Sequence, residues 1–251
     1  MTREECRTLC TAEERAFYNG WNFAHLSGRW EEETVPWDFR EEIAAWLDGE
    51  SSFLDLASGG YGFLLSLNPR PGQAFYAEPD EQSAAILRQR FAPHGVEVRR
   101  VVDGEDLPFS DSRFDAVYTR YGDFCPREAA RVLKKGGVFL AQQSAGVDGV
   151  FNGIPFPGWE KDAGAQDLSA LIAHLEDAGM QVLKGEEAYP AIRFRDVGAL
   201  VYWIHAAGWQ PSSFTAENRE EALWQLAQSL EEKGSLLCRE HRFFVLARKL
   251  N

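Results

Sequence analysis

The run Phe53-Leu54-Asp55-Leu56-Ala57-Ser58-Gly59-Gly60-Tyr61-Gly62 constrains this chain more than any other stretch. A short apolar run carrying one carboxylate leads into a glycine-rich turn, and Phe63-Leu64-Leu65 opens a short helix behind it. Strand, tight turn and helix in that order form the nucleotide-binding corner of an open α/β sheet. The glycines let the backbone approach a ligand closely and take φ values that a Cβ penalises. Such turns also serve dinucleotides, phosphates or plain chain reversal, so the residues that follow must decide between a site and a bend.

Those residues keep a regular rhythm. Apolar runs at Gln73–Ala77, Val96–Val102, Phe114–Tyr118 and Gly137–Gln142 read as further strands. Between them, Asp80 caps a helix with Ala84, Leu87 and Phe91 on one face, and another helix ends at Arg131-Val132-Leu133. Strands alternating with helices predict a parallel sheet covered on both faces, with ligands outside the carboxyl ends of its strands. Two carboxylates stand at those ends. Glu78, followed by Pro79 and Asp80, can accept hydrogen bonds from both hydroxyls of a ribose. Asp103 opens Asp103-Gly104-Glu105-Asp106-Leu107-Pro108-Phe109, where a side-chain acceptor and backbone N–H groups could read the edge of an adenine.

The ordered set goes further than any one motif. Leu54-Asp55-Leu56-Ala57-Ser58-Gly59-Gly60, Glu78, Asp103 to Phe109, Phe114-Asp115 and Ala130-Arg131-Val132-Leu133-Lys134-Lys135-Gly136-Gly137 follow one another. In that order they resemble the class I S-adenosylmethionine-dependent methyltransferases of the UbiE-like, type 11 kind, over roughly residues 35 to 145. The resemblance implies an α/β, Rossmann-like class I methyltransferase fold: a mostly parallel seven-stranded sheet with an antiparallel last strand and helical cap insertions. It implies S-adenosylmethionine as cofactor. Asp55 and the turn Ala57, Ser58, Gly59 and Gly60 would hold its methionine end. Glu78 with Pro79 would bind the ribose, and Asp103, Gly104 and Glu105 the adenine. Thr119, Arg120 and Tyr121 would face the methyl group, with Arg120 counted among the cofactor residues. Against the usual D-x-G-x-G-x-G turn, Ala57 stands at the first glycine and Tyr61 at the third. The Tyr61 ring either points away or crowds the methionine pocket.

The flanking segments should define the substrate. Thr2 and Thr11 each precede a Glu by three positions, the capping-box pattern, so two short helices are expected at the start. Phe17 to Trp37 is rich in aromatics and reads equally as an apolar flap or as the cover of a ligand pocket. Pro36 suits a first helical turn, with Phe39, Ile43, Trp46 and Leu47 on one face. Val147 to Trp159 reads as a Gly/Pro/aromatic loop, and a helix with Leu168, Leu171, Ile172 and Leu175 stops at Gly179. Met180–Ala188 and Leu236–Arg248 read as the last two strands. The roughly 45 residues between them exceed ordinary loop lengths and hold two apolar helices, expected either as a substrate lid or as a packing or dimer surface. A single domain over 1–251 is therefore expected, with an N-terminal helical flap at 1–35, a core at 36–189 and 235–251, and a helical cap at 190–234.

Charge and composition narrow the function. A net charge of −13 repels a phosphate backbone and disfavours nucleic acid. No long apolar run predicts a membrane span and no signal-peptide pattern opens the chain, so the cytoplasm is the expected compartment. Cys6, Cys10, Cys125 and Cys238 do not form a metal-ligand pattern, and no metal is expected. The expected function is methyl transfer from S-adenosylmethionine to a small or medium organic molecule by a monomer or homodimer. RNA- or protein-directed methyl transfer, and a methyltransferase-like binding protein without activity, stay open. A nicotinamide oxidoreductase is disfavoured because the turn is not G-x-G-x-x-G. Direct displacement needs no dedicated base; His25, His205, His241, Tyr121 and Asp123 qualify by residue type only, and no catalytic residue is assigned.

Overall fold

The computed structural model describes residues 1–18, 23–58, 61–102, 106–159, 167–206 and 213–250. The chain forms two compact units. One comprises Pro36–Ser144, Gln166–Glu187 and Arg242–Asn251; the other comprises Met1–Val35, Ala145–Ala165 and Ala188–His241.

The first unit is built on seven strands: β1 (Phe53–Leu56), β2 (Ala74–Glu78), β3 (Glu97–Arg100), β4 (Phe114–Arg120), β5 (Leu133–Val147), β6 (Met180–Ala188) and β7 (Leu236–Lys249). The last three run past the unit's limits along the chain. Their order across the sheet is β3-β2-β1-β4-β5-β7, with β6 also paired to β7. The pairings β3–β2, β2–β1, β1–β4 and β4–β5 are parallel. The first parallel strand lies mid-sheet and the strand order turns back beside it, which makes the carboxyl ends of β1 and β4 the switch point where ligands collect. β1 is buried along its whole length, as a strand covered on both faces must be.

Helices α1 (Phe39–Ala44), α2 (Tyr61–Ser66), α3 (Glu81–Phe91), α4 (Pro126–Val132) and α5 (Leu168–Asp177) complete this unit. In α3 the Asp80 side chain accepts the Ser83 N–H, and Ala84, Leu87 and Phe91 are the buried stripe, as the spacing predicts. Two boundaries differ from the sequence reading. α1 begins at Asp38, whose carboxylate accepts the Arg40 and Glu41 N–H groups, rather than at Pro36; Trp46 and Leu47 lie beyond its end. β5 starts four residues before the expected Gly137, because a bulge breaks its register with β4 between Phe114 and Ala116, and Gly136 takes φ +78° there.

The second unit has its own hydrophobic core. One continuous helix, Arg3–Tyr18, replaces the two short ones expected. The Thr2–Glu5 capping box forms, each residue accepting the other's N–H, while Thr11 lies in mid-helix. The insertion supplies a strand that the sequence reading missed, Ala191–Phe194, and then the helices Val197–Ala206 and Glu220–Lys233. That strand pairs antiparallel with Trp30–Glu32 on one side and with the Leu236–Arg239 end of β7 on the other. The supposed loop at Val147–Trp159 contains a small hairpin, Val150–Phe151 against Ile154–Pro155. Asn152 and Gly153 both have positive φ at its turn, the Asn-Gly chemistry that two-residue hairpins favour. Phe151, Phe194, Leu200, Trp203 and Leu226 form part of the core that results.

Candidate functional site

The switch point is assembled by backbone rather than by glycines alone. β1 ends at Leu56, and the Ala57 N–H still bonds to the Ala77 carbonyl of β2 at 3.0 Å. Ala57 then takes φ +49°, the left-handed conformation that the usual glycine adopts without penalty, so alanine here carries a local cost of about 1 kcal/mol. The Asp55 Oδ1 accepts the Ser58 N–H at 2.9 Å, and the Ser58 Oγ accepts the Arg120 N–H at 2.9 Å. Asp55 and Ser58 thus tie the turn to its own strand and to the end of β4.

One face of this corner gathers three polar side chains. Asp55 pairs in register with Tyr118 across β1 and β4, and side chains two apart along a strand share a face, which adds Arg120. Asp55 is fully buried, and its Oδ2, the Tyr118 hydroxyl and the Arg120 Nε meet no hydrogen-bond partner of good geometry among the described residues, although the Tyr118 hydroxyl and the Asp55 carboxyl adjoin one another. Burial pushes the Asp55 carboxyl up to about 7, against the opposing pull of Ser58, Tyr118 and Arg120. Burial and the neighbouring carboxylate raise the Tyr118 phenol well above its ordinary value. Phe39 and Phe63 wall the same face; the Arg120 guanidinium lies 4.6 Å from the Phe63 ring centre, and the Phe63 and Tyr118 rings are 5.8 Å apart. Each buried polar group left without a partner costs about 1–3 kcal/mol.

Glu78 closes β2, half-buried, its Oε1 accepting the Asp80 N–H at 3.1 Å. Burial is the main cause that raises its carboxyl; the Asp80 N–H opposes it and the Asp80 charge adds to it. Pro79 is exposed beside it. Gly59, Gly60, Asp103, Gly104 and Glu105, together with the Tyr61 side chain, lie outside the described residues. The strand-to-loop segment beyond them is firmly held: Glu128 of α4 accepts the Leu107 N–H, and Arg131 donates to the carbonyls of Leu107 and Phe109.

The sequence reading missed Gly122 and Gln142, and it placed Thr119 at the methyl group without the bonds it makes. The Thr119 hydroxyl donates to the Leu56 carbonyl at 2.8 Å and accepts the Gly122 N–H at 3.1 Å. A Cβ on Gly122 would stand 2.5 Å from the Leu56 oxygen and 2.9 Å from that of Ala57, so only glycine lets the end of β4 approach the turn this closely. The Gln142 side chain, buried in β5, donates from Nε2 to the Tyr121 hydroxyl at 2.7 Å and accepts from the Trp37 Nε1 at 2.8 Å. No sequence motif announces these contacts, because each is made to a neighbouring segment. Of the histidines raised by residue type, His25 and His205 lie in the other unit, bonded to Glu13 and Glu14. His241 stacks there on Tyr189 at 4.7 Å.

The comparisons with known proteins agree with this geometry. The sequence profile of the family described as "Methyltransferase domain" matches residues 54–141, the stretch from β1 into β5 that builds the corner. The matched stretch, 88 of the 251 residues, is similar to that family. S-adenosylmethionine is the cofactor its family uses. Among solved structures, a protein of Bacillus halodurans C-125 provisionally described as a methyltransferase is 21% identical, with a TM-score of 0.57, over 84% of this chain and 97% of its own. The YcgJ protein of Bacillus subtilis is 16% identical at a TM-score of 0.58, over 84% and 98%. The [4+2]-cyclase SpnF is 17% identical at a TM-score of 0.54, over 95% and 93%. At these identities the likeness is one of fold. No curated protein matches the chain. Among the described residues no helix is long and apolar enough to cross a membrane.

Proposed function

We propose that the methyltransferase domain binds S-adenosylmethionine at the β1–β4 corner and transfers its methyl group to a small or medium organic molecule. The observation that carries this reading is an acidic and a basic side chain on one face of the corner, Asp55 and Arg120, each with a buried polar atom that meets no partner of good geometry among the described residues. The Asp55 Oδ2 is suited to an α-ammonium and the Arg120 Nε to an α-carboxylate, the two groups at the methionine end of the cofactor. Glu78 would take the ribose hydroxyls, with Pro79 beside them. Asp103, Gly104 and Glu105 would take the adenine, and the turn from Ala57 to Gly60 would pass close to the methionine chain.

Bound there, the cofactor supplies a methyl group already activated by a sulfonium. The chain's own residues then have to fix the acceptor in line with that group and keep water out. Phe39 and Phe63 serve the second task on the Asp55 face. A net charge of −13 supports a small acceptor over RNA. Calorimetric titration with S-adenosylmethionine and S-adenosylhomocysteine tests the reading. Micromolar binding, lost in Glu78→Ala and in Arg120→Ala, is expected, and the absence of binding by the unaltered protein would refute it. A second reading, a methyltransferase-like binding protein without activity, is favoured by Tyr61 at the third glycine position of the turn. Release of S-adenosylhomocysteine during turnover with added acceptors separates the two.

A further inference from the structure

The sequence holds two Asn-Gly pairs, Asn19-Gly20 and Asn152-Gly153, and the second turns the small hairpin of the second unit. Asn152 does more than turn the chain. Its N–H bonds to the Leu237 carbonyl at 2.9 Å, and its Oδ1 accepts the Leu237 N–H at 3.1 Å. One residue thus engages both backbone groups of Leu237 at the start of β7. Its Nδ2 donates to the Ser229 hydroxyl at 3.1 Å and to the Ser235 carbonyl at 2.8 Å. Its own carbonyl accepts from the Lys233 ammonium at 2.9 Å. These bonds clasp the hairpin to β7 and to the helix Glu220–Lys233.

The same residue carries a reactive amide. Asparagine is among the thermolabile side chains, because the backbone nitrogen of the following residue can attack its Cγ. Glycine shields that nitrogen least, having no Cβ. Gly153 is exposed, and a Cβ built on it would meet nothing within 4 Å. What opposes the reaction is the clasp. Attack turns the flat amide carbon tetrahedral and swings both its heteroatoms out of plane, so Nδ2 and Oδ1 must first leave Ser229, Ser235 and Leu237.

We propose that Asn152-Gly153 is a self-modifying site with water as its only co-reactant, closed in the folded second unit and opened when the hairpin leaves β7. The Gly153 nitrogen forms a bond to the Asn152 Cγ and the Cγ–Nδ2 bond breaks. The departing nitrogen takes the proton that Gly153 sheds and leaves as ammonia. Water then opens the cyclic imide at one carbonyl or the other, giving aspartate or isoaspartate with no change of oxidation state. Either product lacks the Nδ2 donors and sets a carboxylate against the Ser235 carbonyl. Isoaspartate also inserts a further carbon into the backbone of a two-residue turn. A transient opening is thereby made irreversible. The site stands independently of the cofactor reading.

The test ages the full chain in mildly alkaline buffer, with and without urea, and follows amide-to-acid conversion by mass-spectrometric peptide mapping. The Asn19-Gly20 peptide, which lies outside the described residues, is followed separately. Asn152 is expected to convert freely in urea and at least about tenfold more slowly in the native protein, where the rate tracks the open fraction. Ser229→Ala removes one partner of Nδ2 and should speed native conversion about fivefold while leaving the rate in urea unchanged. Phe194→Ala loosens the same core and should speed it further. Asn152→Asp supplies one product from the start and should raise hydrogen exchange at 150–155 and 236–239 in unaged protein. Equal rates with and without urea, or no conversion in urea, would overturn the proposal. So would native rates indifferent to both Ser229→Ala and Phe194→Ala, or unchanged exchange in Asn152→Asp.

Discussion

The two units bury comparable sets of aromatic and aliphatic side chains but gather them over different distances along the chain. In the sheet unit α3, with its buried Ala84, Leu87 and Phe91, packs beside β2 and β3, the strands that flank it in sequence. In the other unit the N-terminal helix Arg3–Tyr18 meets Val197–Ala206. The approach is close enough that a Cβ on Gly198 would stand 2.8 Å from the Glu13 Cγ. Glu13 is itself buried in a charged network with His25, Arg29 and Asp196. A core made from neighbours announces itself by periodicity; a core made from distant segments does not.

The contrast can be broken most forcefully at Phe194, fully buried and packed against Trp203 at 5.4 Å and Phe151 at 6.4 Å. Phe194→Ala should cost about 3–5 kcal/mol. If the units open separately, hydrogen exchange will speed up in 1–18 and 188–206 while β1 and β4 stay protected. Uniform loss of protection would show one cooperative block instead.

Asp55 sharpens the comparison from the other side, since it is a polar group buried for use. Its folded-state carboxyl near 7 lies above the ordinary aspartate value, so the ligand-free protein is stabilised while Asp55 is protonated. That stability is lost as pH rises from about 4 through 7, on the order of 4 kcal/mol in all. Asp55→Asn should flatten this dependence in denaturant titrations between pH 5 and about 8. A bound ammonium would favour the ionised form, so S-adenosylhomocysteine affinity should fall up to tenfold per unit as pH drops below about 7, with proton release detectable by calorimetry in buffers of different ionisation enthalpy.

Gly122→Ala comes next. Its Cβ would press on the carbonyls of Leu56 and Ala57, at a cost of about 1–3 kcal/mol and of most cofactor affinity. Gly62→Ala, where a Cβ would meet nothing within 4 Å, is its control. Ala57→Gly should have the smallest effect, under about 1 kcal/mol, because relief of the positive φ is offset by the freer unfolded chain. A thermal midpoint shift of several degrees in either direction would contradict that balance.

Local signals carried much of this into view. The Asp80 cap, the α3 stripe, the glycine stop of Glu220–Lys233 and the order of Asp55, Ser58 and Glu78 can all be read from a few adjacent residues. The β5 bulge could not, since it is a mismatch between two strands. The strand Ala191–Phe194 is four residues long, and its partner Trp30–Glu32 lies about 160 residues away, so no pattern marks either. Asn152-Gly153 was a legible hairpin signal hidden among aromatics. Gly122 and Gln142 stayed silent, and the bonds of Thr119 went unread, because their work is done on carbonyls, amides and hydroxyls of neighbouring segments.

The discontinuous unit has a consequence for how the protein is made. Its first 35 residues leave the ribosome long before Ala188–His241, with which they share a core. At about 5–20 residues per second they wait roughly 10–40 s for that partner. Meanwhile the side chains around Cys6 and Cys10, buried in the finished core, stand uncovered, and the sheet unit's first strands can pair before that helix has anything to fold against.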